Sequence, residues 1–573
     1  MGCNPLRWSH RRRRYAGRHG PYGISLWLAG VRLLPCLRGY PGFGVKKHIE
    51  GPPSLVARLK KGKTSCILNH RESSLLNKYQ QERETIDFME SITYFSTNNA
   101  ADRVNFETAL LRGMAPDYGL YMVSKDDLPM ISSGTLADMS SMSYAQIAFE
   151  VLNPFLGSEI PEETLRVLLN DAYRDDVIPT EVQHVTGKTH IMWLTKGPTY
   201  SFKDYAARFF GRMLNYFLEA RRLRRVVVVA TSGDTGGAVA DALHGLTNID
   251  NIVFFPRGSI SDGQRRQMTT LGGNVYAFEV EGDFDVCQAL AKTILGDQGF
   301  ADLLFGDPDR FTSANSISLG RLLPQAVYPF FAYSRIARNM EQMIAAIPSG
   351  NFGDMMGTVL AKGMGLPISR IIAGVNENTE FPEFLETGAY VVRPSVKSPS
   401  SAMIVSHPSN LARLIDFYGG RMLDERDPVT EKIIRPGVIA RMPDLDKMRE
   451  DIVSMGVTNP QHYETMKDVF NRYGVILDPH GAVGWRTLEA YLDGCHDRPA
   501  VIYETADPGK FPEEVAEAIG FVPNVPPGMK RQAGMKERIY SIQSRPEHTP
   551  QGFKLSEAQI EEAKRLIKEV LAD

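Results

Sequence analysis

The sequence predicts an α/β protein built on parallel sheets that helices cover on both faces. Three observations predict it. Short runs rich in Val and Ile recur along the chain, and they alternate with helical patterns of ten to fifteen residues. Two of the runs lead straight into glycine-rich loops that open helices, "VVVVATSGDTGG" from 226 and "MIAAIPSGNFGD" from 343. A strand buried on both faces reads as a near-continuous apolar run, which Val226–Val229 and Met343–Pro348 both are.

The elements follow in order. Residues 1–88 stand apart as a basic extension, either disordered or the product of a start upstream of a true initiator at Met89. A transit-like segment or an anion-binding basic arm are the alternatives, since "RRRRYAGRHG" is Arg-rich and lacks acids. Arg32 interrupts the apolar stretch that follows, which is too short to span a bilayer. A chain beginning at Met89 is expected to fold and work. From 105, "NFETALLRGMAPDYGLY" is a capped helix that Asn105 begins and Gly113 ends, and the pattern between Ser133 and Asp175 is helical again. A further helix opens at Ser201, a candidate N-cap with Asp204 three residues on, and carries Tyr205, Phe209, Met213, Tyr216 and Ala220 at helical spacing. After the first glycine-rich loop a helix runs through Ala238 and Leu243; after the second, one runs from Met355 to Met364, with Met355 and Met356 in the core and Gly365 at its end. Further strands are expected at "NIVFF" (251), "RIIAGV" (370), "GVILD" (474) and "AVIYET" (500), and a surface helix at Glu557–Leu571.

Composition narrows the function. The formal charge is −2, but residues 1–49 hold eight Arg, two Lys and no acid, which leaves −12 on the remainder. A body that acidic is a poor nucleic-acid binder. Only Cys287 and Cys495 of the five cysteines lie beyond residue 88, and no CxxC or Cys/His cluster is present. Neither a disulfide framework nor a metal site is expected, and the compartment should be reducing, hence cytoplasmic. No membrane partner is expected, and the protein should be a monomer or homodimer.

A small-residue loop between a strand and a helix is an anion nest, where backbone N–H groups converge on the positive end of the helix dipole. Neither loop here is G-x-G-x-x-G. The two "GKT" triplets, at Gly62 and Gly187, lack the upstream glycine of a Walker loop, with Ala57 and Val182 in its place. The anions are therefore phosphates other than those of ATP or NAD. Lys203 falls in the first turn of its helix, where an ammonium is unwelcome. A lysine disfavoured as ammonium is freed as a nucleophile, and an amine beside a phosphate nest points to a Schiff base with pyridoxal phosphate.

The stretches "KGPTYSFKDYAARFF", "ATSGDTGGAVADAL", "IPSGNFGDMMGTVLAKGMGLPI", "DPHGAVGW" and "ETADPGKF" resemble, in order, the signatures of the threonine synthase family. "MESITYFSTNN" and "ALLRGMAPDYGLY" resemble its N-terminal domain. The resemblance runs from about Met89 to Val522 and implies a fold-type II pyridoxal 5'-phosphate enzyme. Its architecture would be two open, mostly parallel twisted sheets flanked by helices, plus an N-terminal mainly helical domain. By resemblance Lys203 holds the cofactor. Gly350, Asn351, Phe352, Gly353 and Asp354 bind its phosphate, and Thr505 meets the pyridine nitrogen. Ser232, Gly233, Asp234 and Thr235 lie beside the cofactor hydroxyl and the substrate carboxylate. In "SANSISLGR", Asn315, Ser316 and Arg321 match the region that holds the substrate's own phosphate, with a helix expected from about Ser316 and Arg321 on its second turn. The implied reaction takes O-phospho-L-homoserine and water to L-threonine and phosphate by γ-elimination and β-addition of water. A phospho-lyase of the same fold releasing a keto acid, and a non-catalytic phosphometabolite-binding protein, are the alternatives; intact Lys203 argues against the second.

The chain departs from the family at Lys196, commonly His; at Gly481, commonly Thr; and at Glu504 and Asp507, which replace Ser and His around Thr505. The last two are expected to add negative charge near the cofactor edge. Asp478 and His480 read as a buried structural turn rather than an acid/base pair. The expected domains are an N-terminal one over 89–183, a large cofactor-binding one over 184–222 and 344–523, a small α/β one over 223–343, and a C-terminal tail with a surface helix over 524–573.

Overall fold

A computed structural model describes residues 91–427, 433–493, 497–549 and 552–571. The readings made for residues 1–88, and for Cys495, lie outside the described residues. The apolar runs form two main sheets, in chain order β1 (Glu181–Thr186), β2 (Thr189–Trp193), β3 (Arg225–Ala230), β4 (Ile249–Pro256), β5 (Val275–Val280), β6 (Phe311–Ser313), β7 (Met343–Pro348), β8 (Ile368–Val375), β9 (Ile452–Gly456), β10 (Ala500–Glu504) and β11 (Ile539–Ile542). One sheet has the order β9-β8-β7-β10-β2-β1 and the other β11-β5-β4-β3-β6. All neighbours run parallel except β1 and β2. Every residue of β3 and of β7 is buried, as strands covered on both faces must be.

Ahead of the sheets, Asn105 caps the helix Phe106–Arg112 by accepting the Thr108 N–H, and Gly113 closes it at φ 74°. Glu159 accepts the Phe106 and Glu107 N–H groups at 2.7 and 2.8 Å, so the orphan donors of that first turn are satisfied. Three more helices fill Ser133–Ala172. The first long helix of the sheet region, α1 (Lys203–Arg221), buries Tyr205, Phe209, Phe210, Met213 and Phe217. Each such side chain contributes roughly 1.5–3 kcal/mol on burial. The buried stripe turns through Phe217 and Leu218, so Ala220 is exposed.

Two sequence expectations change. "GVILD" is not a strand: Gly474 ends one helix at φ 68° and Asp478 caps the next, α6 below, leaving only a short connection whose Val475 and Leu477 are buried. The edge position beside β8 is taken by Ile452–Gly456 instead. Ile539–Ile542, from the last fifty residues, pairs parallel with β5, and the final helix packs Ala563 and Ile567 into the core of that sheet.

The helices that bear on the site are α1, α2 (Asp234–Leu243), α3 (Asp262–Thr269), α4 (Gly353–Gly363), α5 (Asn459–Tyr473) and α6 (Pro479–Leu492). The loops after β2, β3, β7 and β10 lead to Lys203, Asp234, Gly353 and Thr505 respectively. These are the strand C-termini, where open parallel sheets bind their ligands.

Candidate active site

Helix α1 begins at Lys203, and its cap is Phe202 rather than Ser201. Tertiary contacts override the local capping pattern. The Phe202 N–H donates to Thr505 O at 2.9 Å, and Ser201 forms a β-bridge with Ala506. Asp204 closes no capping box; its carboxylate folds back and accepts the Thr199 N–H at 2.9 Å and the Thr199 hydroxyl. A Cβ at Gly197 would strike that carboxylate, which is why the turn before the helix carries glycine. Lys203 is thereby pinned at the first helical position, 15% exposed. Burial pushes its ammonium below the ordinary lysine range. Asp234 and Asp354 work against that shift, and Lys510 and Arg321 work with it.

Asp234 begins α2 after Gly233, whose φ of 133° is open to glycine. Its Oδ2 lies 3.7 Å from Lys203 Nζ, and its Oδ1 accepts from Lys510 at 2.7 Å and from Gln264 at 3.0 Å. Burial opposes its charge, but the two lysines and the Gln264 amide outweigh burial and hold the carboxylate well below its usual range. Ser232 is exposed and Thr235 half-buried at the same turn.

The second loop ends in Phe352 at φ 60°, a left-handed residue immediately before Gly353 opens α4. This conformation turns successive N–H groups to one side and is costly for a non-glycine residue. A segment near Asn410 holds the loop: Asn410 Nδ2 donates to Asn351 O at 2.9 Å, and the Ser409 N–H donates to Asn351 Oδ1 at 3.3 Å. Ser409 Oγ also meets Ser316 Oγ at 2.9 Å, which brings Asn351 and Ser316 to one wall. Asp354 is buried, its pKa pushed up to about 6 by burial against the pull of Lys203.

Arg321 is buried and, among the described residues, has no carboxylate at ion-pair distance; its guanidinium donates to Ala314 O at 2.7 Å. Burial brings its pKa down to about 10. The helix here starts at Leu319, so Arg321 lies in its first turn, not its second. Gln325 Nε2 donates to Arg321 O at 2.7 Å, and a Cβ at Gly353 would meet the same Gln325 amide, so Arg321 approaches the second loop.

Thr505 is buried just past β10, and Asp478 clamps both its neighbours. The Asp478 N–H donates to Glu504 Oε1 at 2.7 Å, and Asp478 Oδ2 accepts the Ala506 N–H at 3.3 Å. Asp478 also accepts His480 Nδ1–H, while His480 Nε2 accepts the Ala402 N–H at 3.1 Å. Nε2 is therefore unprotonated, and the pair is a structural turn. Burial works against the negative charge expected of Glu504. Its carboxyl is fully buried, and burial together with the Asp478 carboxylate pushes its pKa well above the usual glutamate range.

Sequence reasoning missed Lys510, Gln264 and Gln267. Gln267 Nε2 and Lys510 Nζ both donate to Thr199 O, at 3.0 and 2.8 Å. Lys510 stands in the "ETADPGKF" motif, so its place beside Thr505 was the available signal.

The residues fit a phosphorylated carbonyl cofactor. A half-buried lysine disfavoured as ammonium faces the starts of α2 and α4, and Asp354 Oδ2, Arg321 Nε and Asn315 Oδ1 are buried without a partner among the described residues. A ligand with its own polar groups would satisfy them.

Residues 192–502 match the model of pyridoxal-phosphate-dependent enzymes. Fold and site thus define a pyridoxal-phosphate enzyme. Residues 93–173 match the model of the threonine synthase N terminus, and 481–550 that of the threonine synthase C-terminal region. The chain is 34% identical to threonine synthase of Pseudomonas aeruginosa over 446 residues, 76% of this chain and 92% of that one. It is 31% identical to the Saccharomyces cerevisiae enzyme over 497 residues, 79% and 95% of the two chains. The crystal structure of PLP-bound threonine synthase from Brucella melitensis superposes with a TM-score of 0.73 at 30% identity, covering 84% of this chain and 99% of that one. The yeast threonine synthase structure gives 0.72 at 30%, with the same coverage. The chain belongs to the threonine synthase family.

Proposed function

We propose that the chain converts O-phospho-L-homoserine and water to L-threonine and phosphate. The observation that carries this reading is the presence of two separate anion-binding features around one amine. The loop Gly350–Asp354 opens α4, and the buried Arg321 lacks a carboxylate partner among the described residues. One phosphate belongs to the cofactor and the other to the substrate. A buried cation with nothing to balance it is costly unless a ligand supplies the charge.

Bound pyridoxal phosphate supplies an electron sink for carbanion chemistry at the substrate's α and β carbons. Lys203 would hold the cofactor, and its amine would carry protons at those carbons. An amine with a depressed pKa does this best, because it both accepts and returns a proton near neutrality. The Gly350–Asp354 loop receives the cofactor phosphate, and the Thr505 hydroxyl meets the ring nitrogen without protonating it as a carboxylate would. Ser232 and Thr235 hold the substrate carboxylate. Asn315, Ser316 and Arg321 hold the leaving phosphate, and Arg321 grips harder as charge builds on it.

The test is product analysis on the purified chain with pyridoxal phosphate and O-phospho-L-homoserine. Equal amounts of threonine and phosphate support the reading. Phosphate accompanied by a keto acid identifies a phospho-lyase, and no turnover with cofactor bound identifies a binding protein.

A further inference from the structure

Lys510 is fully buried in the turn five residues beyond Thr505, and its ammonium is held at two points. It lies 2.7 Å from Asp234 Oδ1 and donates to Thr199 O at 2.8 Å. Gln264 completes the shell of Asp234 Oδ1 at 3.0 Å. The other oxygen, Oδ2, stops 3.7 Å short of Lys203 Nζ, beyond hydrogen-bond reach. One carboxylate thus stands between two lysines, tightly bound to the one that does no chemistry.

We propose that Lys510 is a positioning residue for Lys203: by saturating one oxygen of Asp234 and pinning the Thr199 turn, it keeps Asp234 from closing a contact ion pair with Lys203, so the Lys203 amine stays free to exchange protons. The proposal rests on the reading of Lys203 as the reacting amine. Four charged groups face Lys203: Asp234 at the start of α2, Asp354 at the start of α4, Arg321, and Lys510. The two acids favour the ammonium and the two cations oppose it. Removing Lys510 leaves both acids against Arg321 alone, and Asp234, a buried anion without its nearest cation, turns to Lys203. Asp204 and Asp507 also feel Lys510, but Asp204 is committed to Thr199 and Asp507 to the Gly509 N–H.

The test compares Lys510→Met, which keeps the stem, with Lys510→Arg, which keeps the charge. In the full chain freed of cofactor, labelling of Lys203 by trinitrobenzenesulfonate is followed by peptide mass spectrometry across pH. Lys510→Met should move the labelling midpoint up by about one pH unit, a tenfold loss of free amine near neutrality. Its kcat on O-phospho-L-homoserine should fall by a similar factor and recover at high pH, with KM little changed, and Lys510→Arg should label as the parent does. A Lys510→Met midpoint equal to the parent's, whatever happens to kcat, overturns the proposal and leaves Lys510 a structural residue. Should Lys510→Met fail to fold, Lys510→Gln decides. It keeps a donor for Thr199 O but loses the charge beside Asp234, so the Lys203 midpoint must again rise above the parent's, and an unchanged midpoint contradicts the proposal. Full activity in Lys203→Ala would instead overturn the reading of Lys203 itself, independently of Lys510.

Discussion

The carboxyl of Glu504 occupies the space that a side chain at Gly481 would need, so the two positions are sterically coupled. The large side chain at 504 fits because there is no Cβ at 481. Gly481→Ala should therefore destabilise the chain by roughly 1–3 kcal/mol through overpacking. Gly481→Ala combined with Glu504→Ser should recover most of that loss. A double-mutant cycle on denaturant unfolding checks it; strictly additive effects would deny the coupling.

Glu504 also sets a pH dependence. Its folded pKa is raised, so the folded chain binds this proton more tightly than the unfolded chain does. Its contribution is fully present below the ordinary glutamate value and is lost as pH rises from there through the raised value. Glu504→Gln mimics the neutral acid and does not titrate. The stability of Glu504→Gln relative to the parent should rise between pH 5 and pH 8, as read by thermal unfolding. A constant difference would mean that Glu504 is ionised in the fold.

At the phosphate loop, a Cβ on Gly350 would meet Ala402 O at 2.9 Å and Met403 Cα at 3.2 Å, both backbone atoms. The Ala402 segment is held by His480 and cannot easily yield. Gly353 differs, since a Cβ there meets the Gln325 side-chain amide, which can turn away. Gly350→Ala should weaken cofactor affinity by about tenfold or more and Gly353→Ala by less, while Gly353→Val should weaken it strongly. Equilibrium titration with pyridoxal phosphate gives the order directly, and a reversed order would relocate the phosphate.

Arg321→Lys keeps the charge and loses the planar fork. We expect kcat/KM for O-phospho-L-homoserine to fall by about 10–100-fold, with both kcat and KM affected and the cofactor absorbance unchanged. Unaltered kinetics would remove Arg321 from the site; loss of cofactor would show that it serves the other phosphate.

What could be read from the sequence was whatever local physics decides. Val226–Val229 and Met343–Pro348 are buried on both faces and look it, and the first-turn place of Lys203, read from a cap at Ser201 and the helical spacing after it, holds although the cap is Phe202. The errors fall where distant segments intervene. Ser201 has the chemistry of a cap, but Thr505 reaches across the site to take the Phe202 N–H. "GVILD" has the composition of a strand, but two helices end and begin around it. The motif beside Thr505 marked the stretch that holds Lys510, but its partner Asp234 is brought to 2.7 Å by the fold alone. The negative charge expected of Glu504 took no account of burial beside Asp478, which a sequence does not show and which opposes that charge.

The account turns on which amine carries the cofactor, and two lysines, the half-buried Lys203 and the buried Lys510, flank the same carboxylate. Borohydride reduction of the holoenzyme fixes a carbonyl–amine linkage, and peptide mass spectrometry then locates it. The account predicts a pyridoxyl adduct on Lys203 alone, and none anywhere in Lys203→Ala. An adduct on Lys510, or an unmodified Lys203 in fully active enzyme, would contradict it.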